Sequence, residues 1–109
     1  MGKTEIPPGT LYMLILRTID RLGPMHGYGI AEHIQHVSSE VLRIEEGSLY
    51  PALQRMLIKG WVKAEWGVSE NNRRARYYRL TPAGRKHMND EVSEFHGVME
   101  AILRVIQPA

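Results

Sequence analysis

The chain has 109 residues, 43% of them apolar and 24% charged, with no cysteine and a formal net charge of +2. At roughly 100–200 residues per domain this is one compact unit, and the composition excludes wholesale disorder, a disulfide framework, a thiolate metal site and a cysteine nucleophile. The longest apolar runs, such as Leu11 to Leu16, fall far short of the ~20 residues a bilayer requires, and Met1 to Thr10 lacks the hydrophobic segment of a secretory signal, so a soluble cytoplasmic protein with no membrane contact is expected.

Leu11, Leu14, Ile15, Thr18, Ile19 and Leu22 recur at helical spacing, which predicts a first helix from about Thr10 to Leu22, stopped by Gly23-Pro24. Tyr12, Met13 and Leu16 make its other face apolar too. A helix apolar all round is covered on both sides, one by its own domain and the other, on this reading, by something else. A short amphipathic helix follows from about Gly27 to Ser38, with Ile30, Ile34 and Val37 on one stripe.

The pattern fades between Ser38 and Glu46. Leu49, Ala52, Leu53, Met56 and Leu57 then open a third helix that ends at Gly60. Proline lacks an N–H and is tolerated in the first turn, so Pro51 places the start near Gly47 or Ser48. With the apolar stripe inward, the outward face presents Gly47, Pro51, Gln54 and Ile58, flanked by Ser48, Tyr50 and Arg55.

Trp61 to Trp66 and Arg76 to Leu80 alternate with period two around a turn-rich Gly67 to Arg74, which predicts a β-hairpin with a polar tip, Ser69-Glu70-Asn71-Asn72-Arg73-Arg74. Residues 71–87 carry Arg73, Arg74, Arg76, Arg79, Arg85 and Lys86 and no acid, whereas the segments before and after are net acidic. All the positive excess is therefore local, the electrostatic footprint of a polyanion site.

Thr81-Pro82 reads as N-cap and first residue of a last helix that continues to Ile106, roughly 37 Å long. Met88, Val92, Phe95, Met99, Ile102 and Ile106 form a heptad seam widened by Val98 and Val105. A second copy of the chain is the simplest cover for so long a seam, joined in the same interface by Tyr12, Met13 and Leu16; the alternative is a helix folded back along its own domain. Gly97 inside this helix marks a kink or a close helix crossing. The expected fold is mostly α with a small β-hairpin, a winged helix-turn-helix over residues 1–80 and a C-terminal dimerisation helix over 81–109.

Gly47-Ser48-Leu49-Tyr50-Pro51-Ala52-Leu53, preceded by His26-Gly27-Tyr28-Gly29-Ile30 and followed by Arg76-Tyr77-Tyr78-Arg79-Leu80-Thr81-Pro82-Ala83-Gly84-Arg85, resembles the PadR family of bacterial transcriptional regulators over roughly residues 10–87. The resemblance implies a homodimeric winged-helix repressor on an inverted-repeat operator of double-stranded DNA, often released by a small molecule. The single C-terminal helix is similar to the compact branch of the family. A multidrug-sensing member of that branch stacks flat drugs between tryptophans of its last helix, whereas here Trp61 and Trp66 both lie in the hairpin. A second departure is Leu57, where many members carry an acid.

In physical terms, Gln54 and Arg55 are long enough to read base edges in a major groove. Ser48, Tyr50 and the amides at the start of that helix suit phosphate contacts, as does Tyr28, with Pro51 on the same face. Arg73 and Arg74, with Asn72 and Arg76 beside them, suit a minor groove. A small aromatic effector fits among Phe95 and the methionines of the seam. His33 and His36 lack a third metal ligand, Gly27-Tyr28-Gly29 lacks the Gly-Lys-Ser/Thr ending of a phosphate loop, and Glu45-Glu46 reads as a helix-dipole partner. No metal, cofactor or catalytic activity is therefore expected. A winged-helix module that binds protein instead of DNA is the competing reading, and it requires an apolar patch on the outer face of the third helix.

Overall fold

The computed structural model describes residues 4–6 and 9–108; residues 1–3 and 7–8, part of the segment examined for a secretory signal, lie outside it, as does residue 109. The elements run β1 (Thr4–Glu5), α1 (Leu11–Leu22), β2 (Met25–His26), α2 (Gly27–Val37), β3 (Leu42–Arg43), α3 (Glu46–Ile58), β4 (Val62–Val68), β5 (Arg74–Leu80) and α4 (Pro82–Ile106). β4 and β5 form the predicted hairpin, and β2 adds a third antiparallel strand against β5, with Met25 opposite Tyr78 and His26 opposite Tyr77. β1 and β3 make a separate parallel pair.

α1 sits at the centre, touching α2, α3, α4 and β5. This corrects the expectation that its second face awaits another molecule. Leu16 and Met13 are buried within the chain itself, and Tyr12 packs edge-on against Trp61 at 5.7 Å between ring centroids. The neighbours of α1 within the chain cover this wide apolar face, while Arg17, Asp20 and Arg21 make up its polar side. The core joins Ile15, Leu16 and Ile19 to Ile30, Leu49, Leu53, Met56, Val62, Tyr78 and Met88.

α3 starts at Glu46, earlier than the proline argument placed it, so Pro51 lies in its second turn. Pro51 is exposed and the carbonyl it fails to satisfy is that of Gly47, also exposed, so the lost helical bond falls at a solvent-accessible position where its cost is small. Gly60, at φ 78°, takes the left-handed conformation that turns the chain from α3 into β4.

α4 begins as predicted, with the Thr81 hydroxyl accepting from the Gly84 N–H at 3.0 Å. Its first half lies against the domain: Met88 is in the core, Val92 packs on the core, and His87 stacks on Trp61 at 3.7 Å. Met88 is therefore withdrawn from any partner contact. From His96 onward every described residue is exposed, including Val98, Met99, Ile102, Leu103, Val105 and Ile106. The seam is thus one stripe, core at its start and uncovered at its end.

Gly97 neither kinks the helix nor approaches another element: α4 is continuous through it and nothing would lie within 4 Å of an added Cβ. At about 100° per residue it sits on the polar side, about 180° from the middle of the seam. Gly97→Ala is therefore expected to stabilise the helix by roughly 1 kcal/mol and leave self-association unchanged, read by thermal unfolding and sedimentation.

Candidate nucleic-acid interface

α3 buries Leu49, Ala52, Leu53 and Met56 and turns Ser48, Tyr50, Pro51, Gln54, Arg55 and Ile58 to solvent, as the periodicity requires. Gln54 and Arg55 make no hydrogen bond or ion pair among the described residues, so their donors are free for an incoming ligand. Apolar surface on this face comes from Pro51, Ile58 and the ring of Tyr50, interrupted by Ser48, Gln54 and Arg55 rather than gathered into the patch a protein-binding version needs. The start of α3 departs from the anion site expected there. Glu45 is its N-cap, Glu46 is in its first turn, and the Ser48 N–H already donates to the Glu45 carbonyl at 3.0 Å. Two carboxylates offset the positive end of the helix, so a phosphate is better served by the Ser48 and Tyr50 side chains than by these amides.

The hairpin is longer and its loop shorter than predicted. β4 runs on to Val68 and β5 starts at Arg74, so Arg74 is a strand residue opposite Val68 and the turn comprises Ser69 to Arg73. The Ser69 N–H donates to the Arg73 carbonyl at 2.8 Å, and Asn72 holds φ 59°, a left-handed position asparagine tolerates well. Asn72 thus has a turn-forming reason to be where it is. Strand alternation sets Trp66, Val68, Arg74 and Arg76 on the hairpin face that continues outward from buried Val62 and Tyr78.

On that face the guanidinium of Arg74 lies 4.4 Å from the Trp66 ring centroid and that of Arg76 lies 6.0 Å from Tyr78. Cation–π contact orients both guanidinium groups, and that of Arg76 also lies within hydrogen-bonding reach of the Tyr78 hydroxyl. Burial raises the Tyr78 hydroxyl above its ordinary pKa, opposed by the Arg76 guanidinium, so the phenol is neutral wherever the protein is folded and active near neutral pH.

The basic cluster is narrower than its sequence suggests. Arg79 pairs with Glu65 at 3.6 Å, Lys86 with Asp90 at 3.1 Å, and Arg85 with Asp20. Three of the six cations are locally neutralised, whereas Arg73, Arg74 and Arg76 have no ion pair among the described residues. These three, with His26, Tyr28, Tyr50 and Trp66, line an open cleft of about 600 Å³ between the hairpin and the start of α2. Tyr28 is exposed, and the Tyr50 ring stands so close to Gly27 that a Cβ there would meet it at 2.9 Å. That contact sets the spacing of α2 and α3 at the cleft.

His26, Glu70 and Trp66 were missed by the sequence reading. Only Trp66 carries a signal, since period-two alternation already puts it beside Arg74 and Arg76. Among the described residues, no cluster of three or more acidic or histidine side chains is placed to hold a metal ion. No described helix is long and apolar enough to cross a membrane.

Residues 15–90 match the family model described as the transcriptional regulator PadR-like family. An uncharacterised protein of Lysinibacillus sphaericus is 31% identical over 105 residues, 94% of this chain and 93% of the relative. Among solved structures, a transcriptional regulator from Clostridium thermocellum superposes with a TM-score of 0.82 at 29% identity, covering 91% of this chain and 95% of the other. A PadR family transcription regulator from Clostridium difficile superposes with a TM-score of 0.78 at 25% identity, over 91% and 100% of the two chains.

Proposed function

Because the chain belongs to the PadR-like family and is a winged-helix, DNA-binding transcriptional regulator, we propose that it works as a homodimeric repressor on an inverted-repeat operator in the cytoplasm. In this reading residues 1–80 form the DNA-binding unit and α4, within 81–109, is the dimer arm. Each α3 enters a major groove, with Gln54 and Arg55 reading base edges, and half-sites lie about 34 Å apart or a multiple of it. Tyr28, Ser48 and Tyr50 hold phosphates, Pro51 shapes the contact face, and Arg73, Arg74 and Arg76, with Asn72 at the turn, flank the minor groove.

The observation that carries this reading is the cleft in which Arg73, Arg74 and Arg76 of the hairpin meet Tyr28 of α2 and Tyr50 of α3, the last on the same outward face as Gln54 and Arg55. Val92, Phe95, Met99, Ile102 and Ile106 remain the dimer seam, with Tyr12 half-buried at the body and Leu16, Met13 and Met88 excluded. A planar or phenolic effector that enters between the paired arms at Phe95 and Met99 would loosen the grip on DNA through the spacing of the two α3 helices.

The test is fluorescence anisotropy of the full chain on duplex from its own promoter region across a salt series. Affinity should fall steeply with salt, and Arg73→Ala with Arg74→Ala should flatten the log–log slope by about one unit per lost phosphate contact. Arg55→Ala should instead relax discrimination at one base pair by roughly 1–3 kcal/mol at unchanged slope. Absent or salt-independent association overturns the reading.

A further inference from the structure

His26 caps α2, its Nδ1 accepting from the Gly29 N–H at 2.9 Å. A neutral imidazole that accepts at Nδ1 carries its proton at Nε2, so Nε2 is a donor. That donor is buried and has no hydrogen-bond partner among the described residues, in a residue only 8% exposed. Buried donors are rarely left unpaired, and each such case calls for a ligand, an ion or a function. The group standing nearest is the carboxylate of Glu70, at the tip of the hairpin, with Oε1 3.5 Å from Nε2. Glu70 is itself largely exposed and makes no other hydrogen bond or ion pair among the described residues, so little holds its carboxylate in place.

The surroundings favour a stronger anion than this one. His26 and Glu70 both line the cleft that Arg73, Arg74 and Arg76 also border. The start of the eleven-residue α2, whose Gly29 N–H is already taken by His26, adds the positive end of a helix dipole at the same place. A phosphate carries more charge and more acceptor oxygens than a carboxylate, and it arrives without a tether that distorts its approach.

We propose that His26 Nε2 is a phosphate-binding donor masked by Glu70: the hairpin carboxylate occupies, in the free protein, the position that a phosphate of the DNA backbone takes in the complex. Glu70 thereby tethers the hairpin tip to the α2 cap until an incoming phosphate displaces it. This rests on the DNA-binding reading above for the identity of the phosphate, although the site itself can be probed with inorganic phosphate alone.

The experiment compares Glu70→Gln with Glu65→Gln, which removes the same charge from the outer face of the hairpin and also releases Arg79 from its ion pair, a demanding baseline, by anisotropy of the full chain on one duplex at fixed salt. Unmasking predicts that Glu70→Gln tightens binding about fivefold more than Glu65→Gln, on the scale of one charge-assisted hydrogen bond. In a His26→Asn background, where asparagine keeps the cap but cannot reach the cleft, that extra gain should vanish. Equal gains from the two glutamines, or an extra gain that survives His26→Asn, overturn the proposal.

Because His26→Asn removes a buried ring and can unfold the domain, a second measurement uses folded protein only: the ¹⁵N resonance of His26 Nε2 followed by NMR during titration with inorganic phosphate against chloride at matched ionic strength. It should move saturably with phosphate, at lower concentration in Glu70→Gln than in the unsubstituted chain. No movement in either protein overturns the site. Movement without duplex binding overturns the DNA reading and leaves the site standing.

Discussion

Gly84→Ala is expected to destabilise the protein by about 3 kcal/mol or more, enough to lower the urea midpoint by about 2 M for a domain of this size. A Cβ at Gly84 would lie 2.0 Å from the Trp61 carbonyl oxygen, 2.8 Å from its carbonyl carbon and 3.0 Å from Leu80 Cδ1. The obstacle is backbone, and that backbone is pinned. The Trp61 carbonyl accepts from the Thr81 N–H at 3.1 Å and lies 3.0 Å from the Thr81 hydroxyl, which also donates to the Gly60 carbonyl at 2.6 Å. Relief requires α4 to lift off the Gly60-Trp61 turn that precedes β4, and α4 carries Met88 into the core and His87 onto Trp61. Gly47→Ala is the control, since nothing lies within 4 Å of its added Cβ. Equal stability of the two variants in urea titrations would show that the junction yields cheaply and that α4 is not locked to the hairpin through this approach.

That junction explains which features were legible in the sequence. Thr81-Pro82 announced the start of α4 because capping and a fixed proline φ act within one turn. The outward face of α3 was legible for a similar reason: four buried residues at helical spacing leave one arrangement for Gln54 and Arg55. The two-residue strands β1, β2 and β3 had no such signal, since they exist only through pairing with segments far along the chain. The hairpin loop was over-read because Gly67 looks like a turn residue. It stays in the strand since it leaves room for the Tyr77 ring, 3.0 Å from where its Cβ would be, whose hydroxyl donates to the Val68 carbonyl.

Periodicity also says that a stripe is apolar without saying what covers it. Leu16 and Met88 satisfied a pattern that suits a partner and turned out to be covered by their own chain, whereas Ile102 on the same stripe as Met88 is not. The site showed the same division. Cations close in sequence separated into paired and unpaired sets only when Glu65, Asp20 and Asp90 took their places beside Arg79, Arg85 and Lys86 in space. The approach of Glu70 to His26 depends on how the hairpin folds back over α2, which no local pattern records.

The uncovered end of that stripe carries the second large effect. Ile102→Glu is expected to convert a dimer at micromolar concentration into monomer and to weaken binding to a two-half-site operator by about 100-fold or more. The second half-site contact of a dimer is effectively intramolecular, and losing the link forfeits a gain on the order of 10²–10⁴. Ile102 is 46% exposed and lies between Met99 and Ile106 on a face that also presents Val98 and Leu103. Two such faces laid together bury the glutamate of the variant against apolar side chains with no partner for its charge, which costs several kcal/mol per carboxylate. Ala101→Glu places the same charge on the polar side of the helix, about 140° from the middle of the seam, and should leave both mass and affinity unchanged. Sedimentation velocity and anisotropy on the same samples separate the outcomes. A monomeric parent chain, or an Ile102→Glu variant that sediments and binds like the parent, would mean that α4 does not join two copies. The two α3 helices would then have nothing to hold them one turn of DNA apart.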